Sequence, residues 1–395
     1  MSDPFARGGD VRLKPGRETS VLRRHPWIYR GALAGPMPAG QAPVAVVSAR
    51  GRRLGIALPG GSGGSLALRV VAFGDEPWDA TVLRGRVIAA ARLRDRLSLD
   101  ADAYRVVHAE GDDLPGLVVD RYGEIAVIQV FERAWEPALA VVTDVLVREL
   151  GFAAVLLRSG DAAGGTPAVL HGRAPGAEVV VREGSLRFPV DLERGQKTGF
   201  FLDQRENRRR VTALARGARV LNLFSYSGGF AVAALAGGAA RATNVDASDP
   251  ALELARRAYA LNGFDVRDDD FVRGDAFRVA RSLAGTGDVF DVVVADPPAF
   301  VKRKSDLGAG MRGYKEVNLQ AMRLVRPGGL LLTCSCSALV NEASFGRAIS
   351  EAAADAGRAV RVLERRAAGP DHPVSPHCPE SAHLKAWLCA VNSNR

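Results

Sequence analysis

Cysteine is scarce in this 395-residue chain, and its four thiols, Cys334, Cys336, Cys378 and Cys389, all fall in the last quarter. A disulfide-stapled secreted domain does not distribute cysteine this way, so reduced thiols are expected and thiol chemistry is open to them. Long apolar runs are also missing, since none approaches the roughly eighteen residues a membrane helix needs. The opening, MSDPFARGGD, lacks the apolar core of a signal peptide. These absences predict a soluble, cytoplasmic protein with no membrane partner. Aromatics are few at 6%, yet 47% hydrophobic and 25% charged residues exclude disordered and fibrous classes. At about 150 residues per domain, the length predicts two to three domains.

Acids are scarce at one end. Residues 1–70 carry eleven Arg or Lys against three acids, which is eight of the nine net positive charges of the chain. Only six lysines occur throughout, so the bland alternative is an arginine-rich coding bias, but bias would not strip acids from one segment. The concentration points to a phosphate backbone, with Arg23 and Arg24 as candidate contacts.

The first 75 residues read as short strands between turns: Val44 to Val47, Leu54 to Leu58, the Gly60 to Gly64 cluster, and Leu66 to Val71, a small β-barrel pattern. Helical spacing follows from Ala80 to Leu97, interrupted by Arg94. Strands, a helix over Pro137 to Leu150 and further strands then predict a central α+β unit over residues 76–190. From 191 to 395 strands alternate with helices: Arg219 to Phe224, Gly229 to Ala236, Ala242 to Val245, Pro250 to Asn262, Val289 to Ala295, a helix around Leu319 to Val325, and Gly329 to Cys334. Apolar strands with crossover helices predict an α/β, doubly wound parallel sheet, with ligands beyond the carboxyl ends of its strands.

Those ends carry the chemistry. After the first, Phe224-Ser225-Tyr226-Ser227-Gly228 provides a glycine for close backbone approach, and Asp246 ends the next strand eighteen residues beyond Gly228. An acid there accepts hydrogen bonds from ribose hydroxyls. The early glycines of a pyrophosphate loop are replaced by Phe and Ser, so a nucleoside without phosphates, S-adenosylmethionine, fits better than a dinucleotide. The alternative is a tight turn beside a solvated acid. Asp275 follows the third strand, suited to the adenine amine. Asp296-Pro297-Pro298-Ala299-Phe300 ends the fourth as a rigid ledge, with an acid for a base edge and an aromatic to stack on it. Lys302 and Lys304 follow, either facing phosphates or as a solvated loop. The fifth strand runs into Cys334-Ser335-Cys336, where Cys336, nearer the ligand edge, is a candidate nucleophile toward an electron-poor pyrimidine carbon. Core cysteines, or a zinc site with His372, His377, Cys378 or Cys389, are the alternatives.

With Gln196 to Asn207, Ala109 to Leu117 and Lys315 to Leu319, these motifs resemble the RlmI-type family of 23S ribosomal RNA cytosine-C5 methyltransferases across essentially the whole chain. The resemblance implies an N-terminal PUA domain, a small central α+β domain and a C-terminal Rossmann-like class I methyltransferase domain. It implies that Phe224, Ser225, Gly228, Asp246, Asp275 and Asp296 line the S-adenosylmethionine site, with Thr198 and Phe200 near it. It aligns Cys336 with the nucleophile. From their place on and after the ledge, Asp296 is expected beside the base, with Phe300 and Lys302 as substrate contacts, and no metal is expected. Cys334 departs from the family pattern, and Pro298 is followed by Ala299 rather than a second cysteine. The implied partner is 23S ribosomal RNA or a large-subunit precursor, and a homodimer stays open. Two alternatives remain: methylation of a purine exocyclic amine, or a non-catalytic ribosome assembly factor.

Overall fold

The protein is represented by a computed structural model that describes residues 3–61, 64–159, 166–173, 176 and 178–393; Ser62 and Gly63 of the glycine cluster lie outside them. The chain divides into two compact units, neither of them continuous in sequence. The first takes residues 1–179, 191–200 and 370–381, and the second takes 180–190, 201–369 and 382–395.

The first unit holds two five-stranded sheets. In one, the order is Asp10–Arg12, Val44–Val47, Arg53–Pro59, Leu66–Phe73 and Trp27–Tyr29, around a core that includes Leu13, Val46 and Leu68. The other orders Ala168–His171, Ala154–Ser159, Ile125–Val130, Leu117–Tyr122 and Ala103–His108, with helices Ala80–Arg96 and Leu139–Arg148. Trp78 and Trp135 meet edge to face in its core. Arg94, which interrupts the apolar face of Ala80–Arg96, points inward. Only 2% exposed, it holds Asp112 through two hydrogen bonds of 2.6 and 2.8 Å and donates to the Asp371 carbonyl at 2.7 Å. A buried guanidinium needs such pairing, and here the pairing pins the late segment 370–381 into this unit.

The second unit is a seven-stranded sheet. Its elements are β1 (Arg219–Leu223), α1 (Gly229–Ala236), β2 (Arg241–Asp246), α2 (Asp249–Leu261), β3 (Phe271–Arg273), α3 (Ala276–Thr286), β4 (Phe290–Ala295), α4 (Leu307–Leu324), β5 (Val325–Ser335), α5 (Glu342–Ala356), β6 (Arg358–Arg366) and β7 (Lys385–Ser393). The strand order is β3-β2-β1-β4-β5-β7-β6. Val292, Val293 and Val294 are buried, as a central strand covered on both faces requires. Helix starts follow side-chain caps, with Ser248, Asp275 and Asn341 accepting from the backbone of α2, α3 and α5. A helix at Arg205–Leu214 and a hairpin of Val179–Glu183 with Leu186–Val190 complete the fold.

Three expectations change. The sheet is not wholly parallel, because β7 runs antiparallel between β5 and β6. The fifth strand stops at Ser335, so Cys336 lies in the turn beyond it rather than in alternation with Cys334. The helix expected around Leu319 begins at Leu307, through a glycine-rich first half that lowers helix propensity. Packing explains two of those glycines: a Cβ on Gly310 would stand 2.3 Å from Val301 Cγ2 and 2.9 Å from the Phe300 carbonyl oxygen, and one on Gly313 would stand 3.1 Å from the Phe300 ring.

Candidate active site

Strand order reverses between β1 and β4, and at such a switch point ligands bind beyond the carboxyl ends of the strands. The chain leaves β1 through a strained loop. Phe224 (φ 59°) and Tyr226 (φ 45°) take left-handed conformations that side chains rarely adopt, and such strain concentrates at ligand clamps. Asp246 holds the loop: its Oδ2 accepts the Tyr226 N–H at 2.8 Å and its Oδ1 accepts the Ser248 N–H at 2.9 Å. Each carboxylate oxygen keeps a further lone pair for a ligand hydroxyl. Gly228 (φ 75°) brings the start of α1 against α2, where a Cβ would meet Ala255 Cβ at 2.8 Å. The Gly274 N–H donates to the Asp246 carbonyl at 2.9 Å, which sets Asp275 beside the end of β2, exposed and capping α3. Ser225 is buried, and its hydroxyl has no hydrogen-bond partner among the described residues.

The ends of β4 and β5 are tied to each other. The Val301 N–H donates to Ser337 Oγ at 3.2 Å, Ser337 Oγ lies 2.8 Å from the Tyr314 hydroxyl, and Cys336 Sγ lies 3.9 Å from the Pro297 carbonyl oxygen. The ledge and the cysteine turn therefore form one surface. Phe300 packs between Phe277 and Tyr314, with ring centroids at 5.9 and 4.9 Å. Asp296, half-buried, accepts from Gln204 Nε2 at 2.9 Å; Gln204 Oε1 accepts from Asn207 at 2.6 Å, and Asn207 Oδ1 accepts from Arg366 at 2.9 Å. This relay fixes which way the carboxylate faces. Lys385, buried on β7 opposite Ser335, donates to the carbonyls of Ser337 at 2.9 Å and Val340 at 2.8 Å.

The four thiols differ. Cys334, Cys378 and Cys389 are buried, and only Cys336 is partly exposed. Burial, with the Asp296 charge second, pushes the Cys334 thiol far above its usual range. Burial pushes Cys378 and Cys389 up to about 12. Three of the four are therefore protonated at neutral pH, which leaves Cys336 as the thiol with solvent access.

Lys302 is exposed after the ledge. Thr198 and Phe200 belong to the first unit, where both are buried; the Thr198 hydroxyl donates to Asp120 at 2.6 Å and lies 2.7 Å from the Tyr122 hydroxyl. Arg23 is exposed, whereas Arg24 pairs with Glu76 at 2.9 Å and stacks on Phe73. Arg69, counted in the basic excess, is no surface charge: it lies against Glu110 and Glu132, all three largely buried. Among the described residues, His25, Cys378 and Glu380 are the grouping of metal-ligand type. His25 Nδ1 accepts the Trp27 N–H at 3.1 Å, which puts the ring proton on Nε2, facing Glu380 at 3.2 Å. A ring nitrogen that already carries a proton is not a metal ligand, so this is a hydrogen-bonded pair.

Gln204 and Lys385 were missed as site residues. Gln204 lies within the Gln196 to Asn207 stretch, which gives it no role by itself, and Lys385 has no sequence signal except being one of six lysines. The donor set at β1 and β2 suits an adenosine-bearing ligand. Asp246 has free acceptor capacity for ribose, Ser225 has an unpartnered buried hydroxyl, and Phe224 and Phe277 supply aromatic surface at 5.8 Å.

A family model described as S-adenosylmethionine-dependent methyltransferase matches residues 168–390, and one described as PUA-like domain matches residues 11–71. The ribosomal RNA large subunit methyltransferase I of Erwinia tasmaniensis is 38% identical over 391 residues, covering 96% of this chain and 98% of its own. Among solved structures, a candidate SAM-dependent methyltransferase from Streptococcus mutans matches with a TM-score of 0.86 at 20% identity, over 96% of this chain and 99% of its own. A methyltransferase structure complexed with SAH matches with the same TM-score of 0.86 at 19% identity, over 96% and 99%. At these identities the two structures bear on the fold.

Proposed function

The chain belongs to the S-adenosylmethionine-dependent methyltransferases, in the family of the ribosomal RNA large subunit methyltransferases I, and from that premise we propose that it forms 5-methylcytidine in 23S ribosomal RNA through a covalent Cys336 adduct. The observation that carries this reading is the tie between the ledge and the cysteine turn: the Val301 to Ser337 bond, with the Cys336 sulfur 3.9 Å from the Pro297 carbonyl oxygen. A partly exposed thiol beside a ledge that ends in a fixed acid and an aromatic ring suits attack on a base held beyond the strand ends.

Asp246, Ser225, Phe224, Gly228 and Asp275 hold the cofactor, and the family resemblance assigns Thr198 and Phe200 to it as well. Bound there, S-adenosylmethionine supplies an electrophilic methyl group on a sulfonium. Cys336 Sγ, as the thiolate, would bond to C6 of cytosine and move the C5–C6 π pair to C5, which would make C5 the nucleophile for the sulfonium methyl; the methyl C–S bond would break and leave a neutral thioether. Asp296 faces the N3/N4 edge and favours the charge that builds as the adduct forms. Water held by Asp296 removes the C5 proton; that electron pair restores the double bond and expels the thiolate. Phe300 meets the base with the part of its ring left exposed between Phe277 and Tyr314, and Lys302 meets a phosphate. Residues 1–75, with Arg23 and Arg24, supply RNA affinity and register, residues 76–190 form a central module, and residues 191–395 carry the chemistry.

The test is methyl transfer from labelled cofactor to ribosomal RNA lacking the modification, followed by nucleoside analysis. Label should appear in 5-methylcytidine and fall by on the order of 10³-fold or more in Cys336→Ala, with cofactor binding retained. Label in a methylated purine that survives Cys336→Ala would overturn the proposal in favour of amine methylation.

A further inference from the structure

We infer that Lys385 is a positioning residue that holds the Cys336 turn in place and supplies the positive charge against which the Cys336 thiol ionises. The inference rests on Cys336 being the nucleophile proposed above. Lys385 pairs with Ser335 in the β5–β7 register, one residue before Cys336. From there its ammonium reaches beyond the strand end to the carbonyls of Ser337 and Val340, at 2.9 and 2.8 Å, on the far side of Cys336. The cation thus sits at the base of the turn, which is held from the ledge side by Val301 and Tyr314.

Charge balance gives the arrangement its direction. Lys385 is 5% exposed and donates to two neutral carbonyls, and among the described residues it has no carboxylate in an ion pair. A buried cation held by carbonyls and outside any salt bridge is costly, and a thiolate at Cys336 lowers that cost, adding to the Glu342 charge. The groups around Cys336 sort by sign. Lys385 on β7 is the cation. Tyr314 on α4 is a neutral hydroxyl, its ionisation pushed up by burial and by a charge on Cys336. Cys334 on β5 is a neutral buried thiol, and Asp296, at the end of β4, is an acid turned toward Gln204. Glu342, at the start of α5, accepts from Trp387 at 2.7 Å. Burial draws the Lys385 ammonium toward deprotonation, while the charges of Cys336 and Glu342 act in the opposite sense, so ionisation of the thiol and retention of the lysine proton support each other. The proton lost by Cys336 goes to water.

Alkylation of Cys336 by iodoacetamide, followed against pH by peptide mass mapping of the full chain, tests this without any methyl transfer. The wild-type midpoint should lie below the ordinary thiol value of about 8.5. Lys385→Met should raise it by about one pH unit, about a tenfold slower reaction at neutral pH, and Lys385→Arg should stay near wild type. Cofactor affinity, measured in parallel, reports whether each variant is folded. A Lys385→Met variant with loosened packing but an unmoved midpoint overturns the inference, because a merely structural lysine changes access and not ionisation. If that variant does not fold, the wild-type midpoint decides, and a value at or above about 8.5 overturns it. A lowered midpoint together with methyl transfer by Cys336→Ala would sink the proposed function and leave the Lys385–Cys336 pairing standing.

Discussion

At the ends of β1 and β2 the polar groups meet through single hydrogen bonds that leave capacity over, on the Asp246 carboxylate and on the unpartnered Ser225 hydroxyl. The ends of β4 and β5 are built the other way, with Gln204 holding Asp296, Ser337 holding Val301, and Lys385 holding the turn around Cys336. The first region keeps hydrogen-bonding capacity to offer a ligand, whereas the second is braced by the chain's own groups. A cofactor with many hydroxyl and amine groups rewards spare acceptors. A nucleophile and an acid that must meet one carbon and one base edge reward rigidity, since small misplacements there cost large factors in rate.

The comparison breaks most visibly at Asp246. Asp246→Ala removes the loop brace and the acceptors for ribose together, and bonds to a charged group contribute about 1.5–3 kcal/mol each. Cofactor Kd, measured by calorimetry, should rise about 10²-fold, while Cys336 alkylation stays at the wild-type rate. A coupled loss of both would mean that the two regions are one structure. Gln204→Leu probes the fixed side. It removes the amide hydrogen bond to the Asp296 carboxylate and should lower kcat for RNA methylation about tenfold with little change in KM for RNA. Unchanged kcat would show that the relay through Asn207 and Arg366 is packing alone.

The same division governs what could be read from sequence. The β1 loop, Asp246, the Asp-Pro-Pro ledge and Cys336 were legible because each is a local pattern at a strand end. Gln204 and Lys385 were not, because Gln204 meets Asp296 across 92 positions and Lys385 meets Ser337 across 48. The antiparallel end of the sheet was hidden for another reason: β6 reads RAVRVLERR and lies at the edge, where no two-sided apolar run is required. The first half of α4 was masked by glycines that the ledge demands, and the basic count at the start of the chain included Arg69, which the fold buries between two acids. Insertion of segment 370–381 into the first unit has no local signal, since it rests on Arg94 and Arg105 reaching Asp371 from more than 260 residues away.

Ser225→Ala is the smallest change that sharpens the contrast, because its two effects have opposite signs. In the ligand-free protein it removes a buried hydroxyl with no partner, which relieves a desolvation cost, so Tm should hold or rise slightly. With S-adenosylmethionine present the variant lacks one hydrogen bond, a net contribution of about 0.5–1.5 kcal/mol, so Kd should rise about three- to tenfold. The Tm gain on adding cofactor should therefore be smaller than in wild type by the amount that the weaker Kd dictates. Equal cofactor affinity with a higher ligand-free Tm would show that the hydroxyl is strain in the core and not a waiting donor, and the spare hydrogen-bonding capacity of the β1 side would then rest on Asp246 alone.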